Sequence, residues 1–215
     1  MYSIMEEKEM KELFKKYSHV KWLALCSFLY LTTFFILEQW GDRPFWVVDT
    51  WLDAYIPFNE YMIIPYVLWY FYIVIGFVYF TVYEVEGFNR TQFYLWTGMF
   101  VAMIFCAIVP NCQNMRVELA NENIFQSAVS FLYSIDTNTN VFPSIHCYNS
   151  IMMMASLLKS DKVRSHKILS IFIVVLSISI CASTVMLKQH GILDVFGAIG
   201  MSIIVYLIGK YKFKF

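Results

Sequence analysis

Charge is scarce in this chain. Of 215 residues only 15% are charged, the two signs cancel to a formal net charge of zero, and 59% are hydrophobic. A soluble domain of this length needs far more polar surface, so the composition indicates an integral membrane protein. Zero net charge also argues against nucleic acid as a partner. Proline and glycine are few, five and eight, and no flexible linker breaks the chain, so a single membrane domain is expected over 1–215. The five cysteines (Cys26, Cys106, Cys112, Cys147, Cys181) are an odd set with no close pair. They suggest neither a zinc site nor a disulfide framework. No short apolar core precedes a small-residue cleavage site, so no cleaved signal peptide is expected.

Long apolar runs are what the chain has in abundance. Six are expected to cross the bilayer: 20–37, 61–83, 92–110, 143–158, 168–187 and 191–209. The fourth is short against the ~20 residues a crossing helix needs. The fold expected is therefore all-α, an integral membrane six-transmembrane-helix bundle over 20–209. Within 1–19, Met10, Leu13, Phe14 and Tyr17 form an apolar stripe, while Glu7–Lys11 and Glu12–Lys16 stand four apart. That pattern predicts a cytoplasmic helix lying on the membrane surface.

Lysine and arginine placement sets the expected orientation. If the chain crosses six times, thirteen cations fall on one side and only Arg43, Arg116 and Lys188 on the other. Both termini are then cytoplasmic, and the loops at 39–60 and 111–142 are outside. The first of these loops is rich in aromatic residues, which serve as headgroup anchors or as a rim admitting lipid sideways. The second is long for an idle connection, and Leu119, Ile124, Phe125, Ala128, Phe131 and Leu132 predict a short helix resting on the interface.

Asp194 is the only acidic residue inside these apolar runs. A carboxylate at membrane depth costs ~2.5–3.5 kcal/mol, so it persists where it has a partner and usually a task. His190 lies four residues earlier, on the same helical face. That spacing lets a carboxylate hold one imidazole nitrogen and leave the other free to react. Val141-Phe142-Pro143-Ser144-Ile145-His146 supplies a second histidine at the outer end of another span. Pro143 is expected in the first helical turn, leaving the amides of Ser144, Ile145 and His146 pointing outward as an anion pocket. Arg116, Lys188 and the Ser144 hydroxyl would complete a phosphate site. Two histidines and an aspartate could also ligate a metal or haem, but neighbouring cations work against both.

Phe142-Pro143-Ser144-Ile145-His146 and His190-Gly191-Ile192-Leu193-Asp194 resemble the second and third signatures of the type 2 phosphatidic acid phosphatase superfamily. The branch they look most like includes inositol phosphorylceramide synthases and bacterial relatives. Ile56-Pro57-Phe58 and Ser183-Thr184 are similar to that branch as well. The resemblance implies a six-helix bundle that needs no metal or other cofactor. By it His190 is the nucleophile, Asp194 its orienting carboxylate, His146 the acid for the leaving oxygen, and Arg116 a phosphate ligand. The chain departs from the family at Val109, in place of a lysine, and at Val117, in place of a proline. Ile145 stands in place of a glycine and Thr184 in place of an arginine. Lys188, one helical turn beyond Thr184, is expected to supply the missing phosphate contact. The implied activity is hydrolysis of a lipid phosphate or pyrophosphate through a phosphohistidine at the outer face. A lipid head-group phosphotransferase and a non-catalytic lipid carrier are the alternatives.

Overall fold

The computed structural model describes residues 17–40, 43–120 and 122–213, and the interfacial helix expected over 1–19 lies almost wholly outside them. Eight α-helices form the described chain. They are α1 (Lys21–Gln39), α2 (Ile63–Tyr83), α3 (Val85–Ile108), α4 (Ile124–Ile135), α5 (Ile145–Leu157), α6 (Asp161–Ser165), α7 (Lys167–Met186) and α8 (Ile192–Phe213). The protein is an all-α membrane bundle, with α1, α2, α3, α7 and α8 long and apolar enough to cross.

The fourth expected span, 143–158, is a helix but not one long enough to count among these. α5 has 13 residues, about 20 Å at the helical rise, too short to cross unaided. It sits in the middle of the bundle against α2, α3, α7 and α8. Its buried polar residues Asn149, Ser150 and Ser156 face protein and not lipid. The shortfall in length follows from this position, since a helix sheathed by others need not match the bilayer.

Close approach to α5 depends on small residues. Tyr148 crosses α3 at Gly98, where an added Cβ would lie 2.0 Å from the ring, and its hydroxyl donates to the Tyr94 carbonyl at 2.5 Å. On α8, Gly197 leaves room for Phe142, whose ring would come within 2.6 Å of a Cβ there. Both contacts set the depth at which α5 begins.

α3 starts at Val85, several residues before the expected span at 92. Its first turns carry Glu86, Asn89 and Arg90, which an apolar window discounts although they are helical. The helix predicted in the long loop at 111–142 appears as α4, capped by Asn123, whose side-chain oxygen accepts the amides of Phe125 and Gln126. Unforeseen was a two-residue parallel ladder, β1 (Trp46–Val47) with β2 (Asn111–Cys112), tying the two long loops together.

Candidate active site

The segment joining α7 to α8 is built by backbone chemistry first. α7 ends in a paired cap: the Lys188 amide donates to the Val185 carbonyl, and the Gln189 amide to that of Thr184. This pattern needs a left-handed residue just past the helix, usually glycine; here Lys188 takes it with φ 54°. The chain therefore turns sharply, and Lys188 does not continue the helical face of Thr184. Its ammonium donates to the carbonyls of Asp53 and Ile56 at 2.8 and 2.6 Å. The expected Thr184–Lys188 stack is thus absent, and the lysine anchors the 51–56 loop instead.

Beyond the turn, α8 begins at Ile192. Asp194, in its first turn, reaches back so that Oδ2 accepts the Gly191 amide at 2.8 Å and lies 3.3 Å from His190 Nδ1. This is one half of a capping box, with an imidazole added to it. With Asp194 as acceptor, Nδ1 carries the proton and Nε2 is left as a free lone pair. Asp194 is 0% exposed and His190 8%. Burial alone would lower the His190 pKa, but the hydrogen bond and charge of Asp194 outweigh it and raise it above the ordinary value. Sequence reasoning missed Asp53, whose carboxylate accepts the Ile192 amide at 2.7 Å and steadies the same turn. The Thr50-x-x-Asp53 spacing, a capping signature completed here at both ends, was the available signal.

His146 is brought to the same place from α5. Its ring lies 5.7 Å from that of His190 and is flanked by Trp69 at 4.3 Å and Tyr66 at 4.8 Å. It is 7% exposed, and neither ring nitrogen has a hydrogen-bond partner among the described residues. The helix start differs from expectation. Pro143 lies outside the helix, Ser144 is the N-cap, and its hydroxyl accepts the Cys147 amide at 3.3 Å. The Ser144 amide donates to the Asp194 carbonyl at 3.2 Å. Ser144 is therefore spent on structure, and only the Ile145 and His146 amides remain at the helix end without a helical acceptor.

Arg116 comes near but is turned aside. Its guanidinium donates to the carbonyls of Tyr133 and Asp136 and to Gln189 Oε1 at 2.9, 2.5 and 2.7 Å. Gln189 in turn donates to Asp136 Oδ2 at 3.3 Å, as does Tyr66 at 3.2 Å. Arg116 thus holds Gln189, the residue next to His190. Neither Gln189 nor Asp136 was foreseen, because a polar residue in a loop carries no periodic signal. Both histidines, Gln189 and Asp136 line one cavity of about 270 Å³ between α1, α2 and the loop before α5. Among the described residues no group of three His, Cys, Asp or Glu could hold a metal ion.

Comparison with known proteins gives no matching family model, no similar curated protein and no similar solved structure. The likeness to the phosphatase superfamily rests on the sequence motifs alone.

Proposed function

We propose that the protein is a membrane-embedded lipid phosphatase, working through a covalent phosphohistidine. The observation that carries this reading is the pairing of two histidines in opposite states of restraint on one cavity. His190 is held at Nδ1 by Asp194 with Nε2 free, and His146 stands 5.7 Å away with no polar partner among the described residues. In the first step His190 Nε2 attacks phosphorus, the phosphorus–oxygen bond to the lipid breaks, and the leaving oxygen takes a proton from His146. In the second, water gives a proton back to His146 as its oxygen bonds phosphorus and the nitrogen–phosphorus bond breaks. Asp194 keeps the imidazole in the required tautomer and offsets the positive charge that develops on it. No cofactor is called on. The substrate suggested by the sequence is a lipid phosphate or pyrophosphate, reached from the outer face with both termini cytoplasmic.

A second reading is favoured by one observation. None of the described Lys or Arg side chains lines the cavity, whereas a phosphate monoester brings two negative charges. A phosphodiester brings one, and an alcohol can replace water in the second step, making the protein a head-group phosphotransferase. Assay of the purified protein on a lipid panel, with and without acceptor alcohols, separates these. Free phosphate means a phosphatase, a new phosphodiester means a transferase, and neither product leaves a lipid carrier. Sidedness is tested by single cysteines: one at exposed Ser134 should react with an impermeant reagent added outside, and one at Arg164 should not. The reverse pattern would put the site in the cytoplasm.

A further inference from the structure

The wall facing the histidines is acidic and aromatic, and this bears on what the lipid phosphate carries. Asp136 lines the cavity and has no ion-pair partner among the described residues, since Arg116 bonds its backbone carbonyl and not its carboxylate. Its Oδ2 accepts from Tyr66 and Gln189, while Oδ1 accepts from nothing described. Burial raises the Asp136 pKa, against the lowering effect of His190, Tyr66 and Arg116. Such a carboxylate gains from a counter-charge brought by a ligand. Tyr30, Phe34, Trp69 and Tyr70 line the same cavity, and the faces of aromatic rings attract cations, quaternary ammonium groups above all.

Negative charge fares worse there. A dianionic monoester held at His190 would share the cavity with Asp136, with no lining lysine or arginine to offset the repulsion. A zwitterionic diester would face the histidines with its one negative charge and the carboxylate with its positive one. Size agrees with a head group alone: about 270 Å³ is at the lower limit of small-ligand sites. Hydrocarbon has a separate place. An apolar groove of about 490 Å³ runs between α1, α2 and α3, and Trp69 lines both it and the histidine cavity.

We infer that the cavity takes a zwitterionic phosphodiester lipid, with its phosphate at His190 and His146 and its ammonium between Asp136 and the aromatic wall. The inference rests on the second reading of the proposed function. In it His190 Nε2 bonds phosphorus, the bond from phosphorus to the lipid oxygen breaks, and that oxygen takes the His146 proton. The phosphoryl head group stays on His190 until water or an alcohol displaces it and returns a proton to His146.

The test is equilibrium binding to the full-length His190→Ala protein, in which turnover is silenced. Three lipids with the same acyl chains are compared, whose phosphates carry choline, glycerol or no further group. The choline lipid should bind at least tenfold more tightly than the other two, and adding Asp136→Asn should erase the preference. Tightest binding of the monoester, or of the glycerol diester, would overturn the inference, and so would a choline preference that survives Asp136→Asn. The lipid comparison needs no Asp136 variant, so a misfolded substitution leaves it decisive. Phosphoryl transfer by the unaltered protein is followed on the same three lipids. Transfer without choline preference overturns the inference and leaves the histidine mechanism standing. Choline preference without transfer upholds the binding site and removes the enzyme.

Discussion

The stretches 142–146 and 188–194 each deliver one histidine to the cavity, and they do so in opposite ways. In 188–194 the polar side chains are all committed: Lys188 to two carbonyls, Gln189 to Arg116 and Asp136, and His190 to Asp194. In 142–146 the commitments are two backbone amides, Phe142 on Asn111 and Ser144 on Asp194, while the His146 ring has no polar partner among the described residues. A nucleophile must be aimed, so its carboxylate is permanent. An acid must hand over its proton, and a standing acceptor on His146 would compete with the substrate. Leaving a buried imidazole unbonded costs on the order of 1–3 kcal/mol, which is expected where a ligand later supplies the partner.

The comparison breaks most visibly at His190. His190→Ala should reduce phosphoryl turnover to background, measured as product release from the lipid panel, because it removes the imidazole that Asp194 holds in the attacking tautomer. Asp194→Asn should lower kcat by roughly 10³–10⁴-fold, since it destroys tautomer control and charge support and spares the nucleophile. The same variant carries a pH signature. His190 must lose its proton at Nε2 to attack, and its pKa is raised, so the acid limb of kcat/KM should lie above the ordinary histidine value of about 6.5. Asp194→Asn removes the raising group, and the limb should move to lower pH. In the first step, read as the pre-steady-state burst of leaving group, His146→Ala should cost ~10²–10⁴-fold with an alkoxide leaving group and under about tenfold with a nitrophenyl ester, which needs no proton. An equal loss with both leaving groups would refute its role as acid.

Smallest should be the effect of Lys188 on catalysis. Lys188→Ala should lower stability by about 1–3 kcal/mol, as the buried Asp53 carbonyl and the part-buried Ile56 carbonyl lose their donor, and leave KM unchanged. Lys188→Gly should cost less, because glycine suits the left-handed turn. Thermal unfolding and steady-state kinetics read the two apart. A raised KM in Lys188→Ala would restore the lysine to the phosphate.

The membrane bundle was legible because apolar length is a repeating signal, and α4 was legible from its apolar residues in the same way. The His190–Asp194 pair was legible in its partners and not in its geometry: His190 lies before α8, and Asp194 reaches it by a capping contact and not across a helical face. Lys188 misled because charge shows in a sequence and backbone direction does not. A lysine in a left-handed turn looks like any lysine near a helix end, and it points wherever the turn sends it. Pro143 and Ser144 misled by two positions, since a helix that starts at Ile145 turns a phosphate-binding hydroxyl into a cap. Asp136 and Gln189 were illegible in principle, as their importance comes from the cavity formed by segments far apart in the chain.

The histidine mechanism is tested most directly by trapping its intermediate. The purified protein is mixed with lipid carrying labelled phosphate, quenched in base within a turnover, and the label mapped by mass spectrometry. The expected result is a base-stable, acid-labile phosphoryl adduct on His190, absent from His190→Ala and still formed by His146→Ala with a nitrophenyl ester. Turnover that proceeds with no adduct on His190, or with the label on another residue, would contradict it.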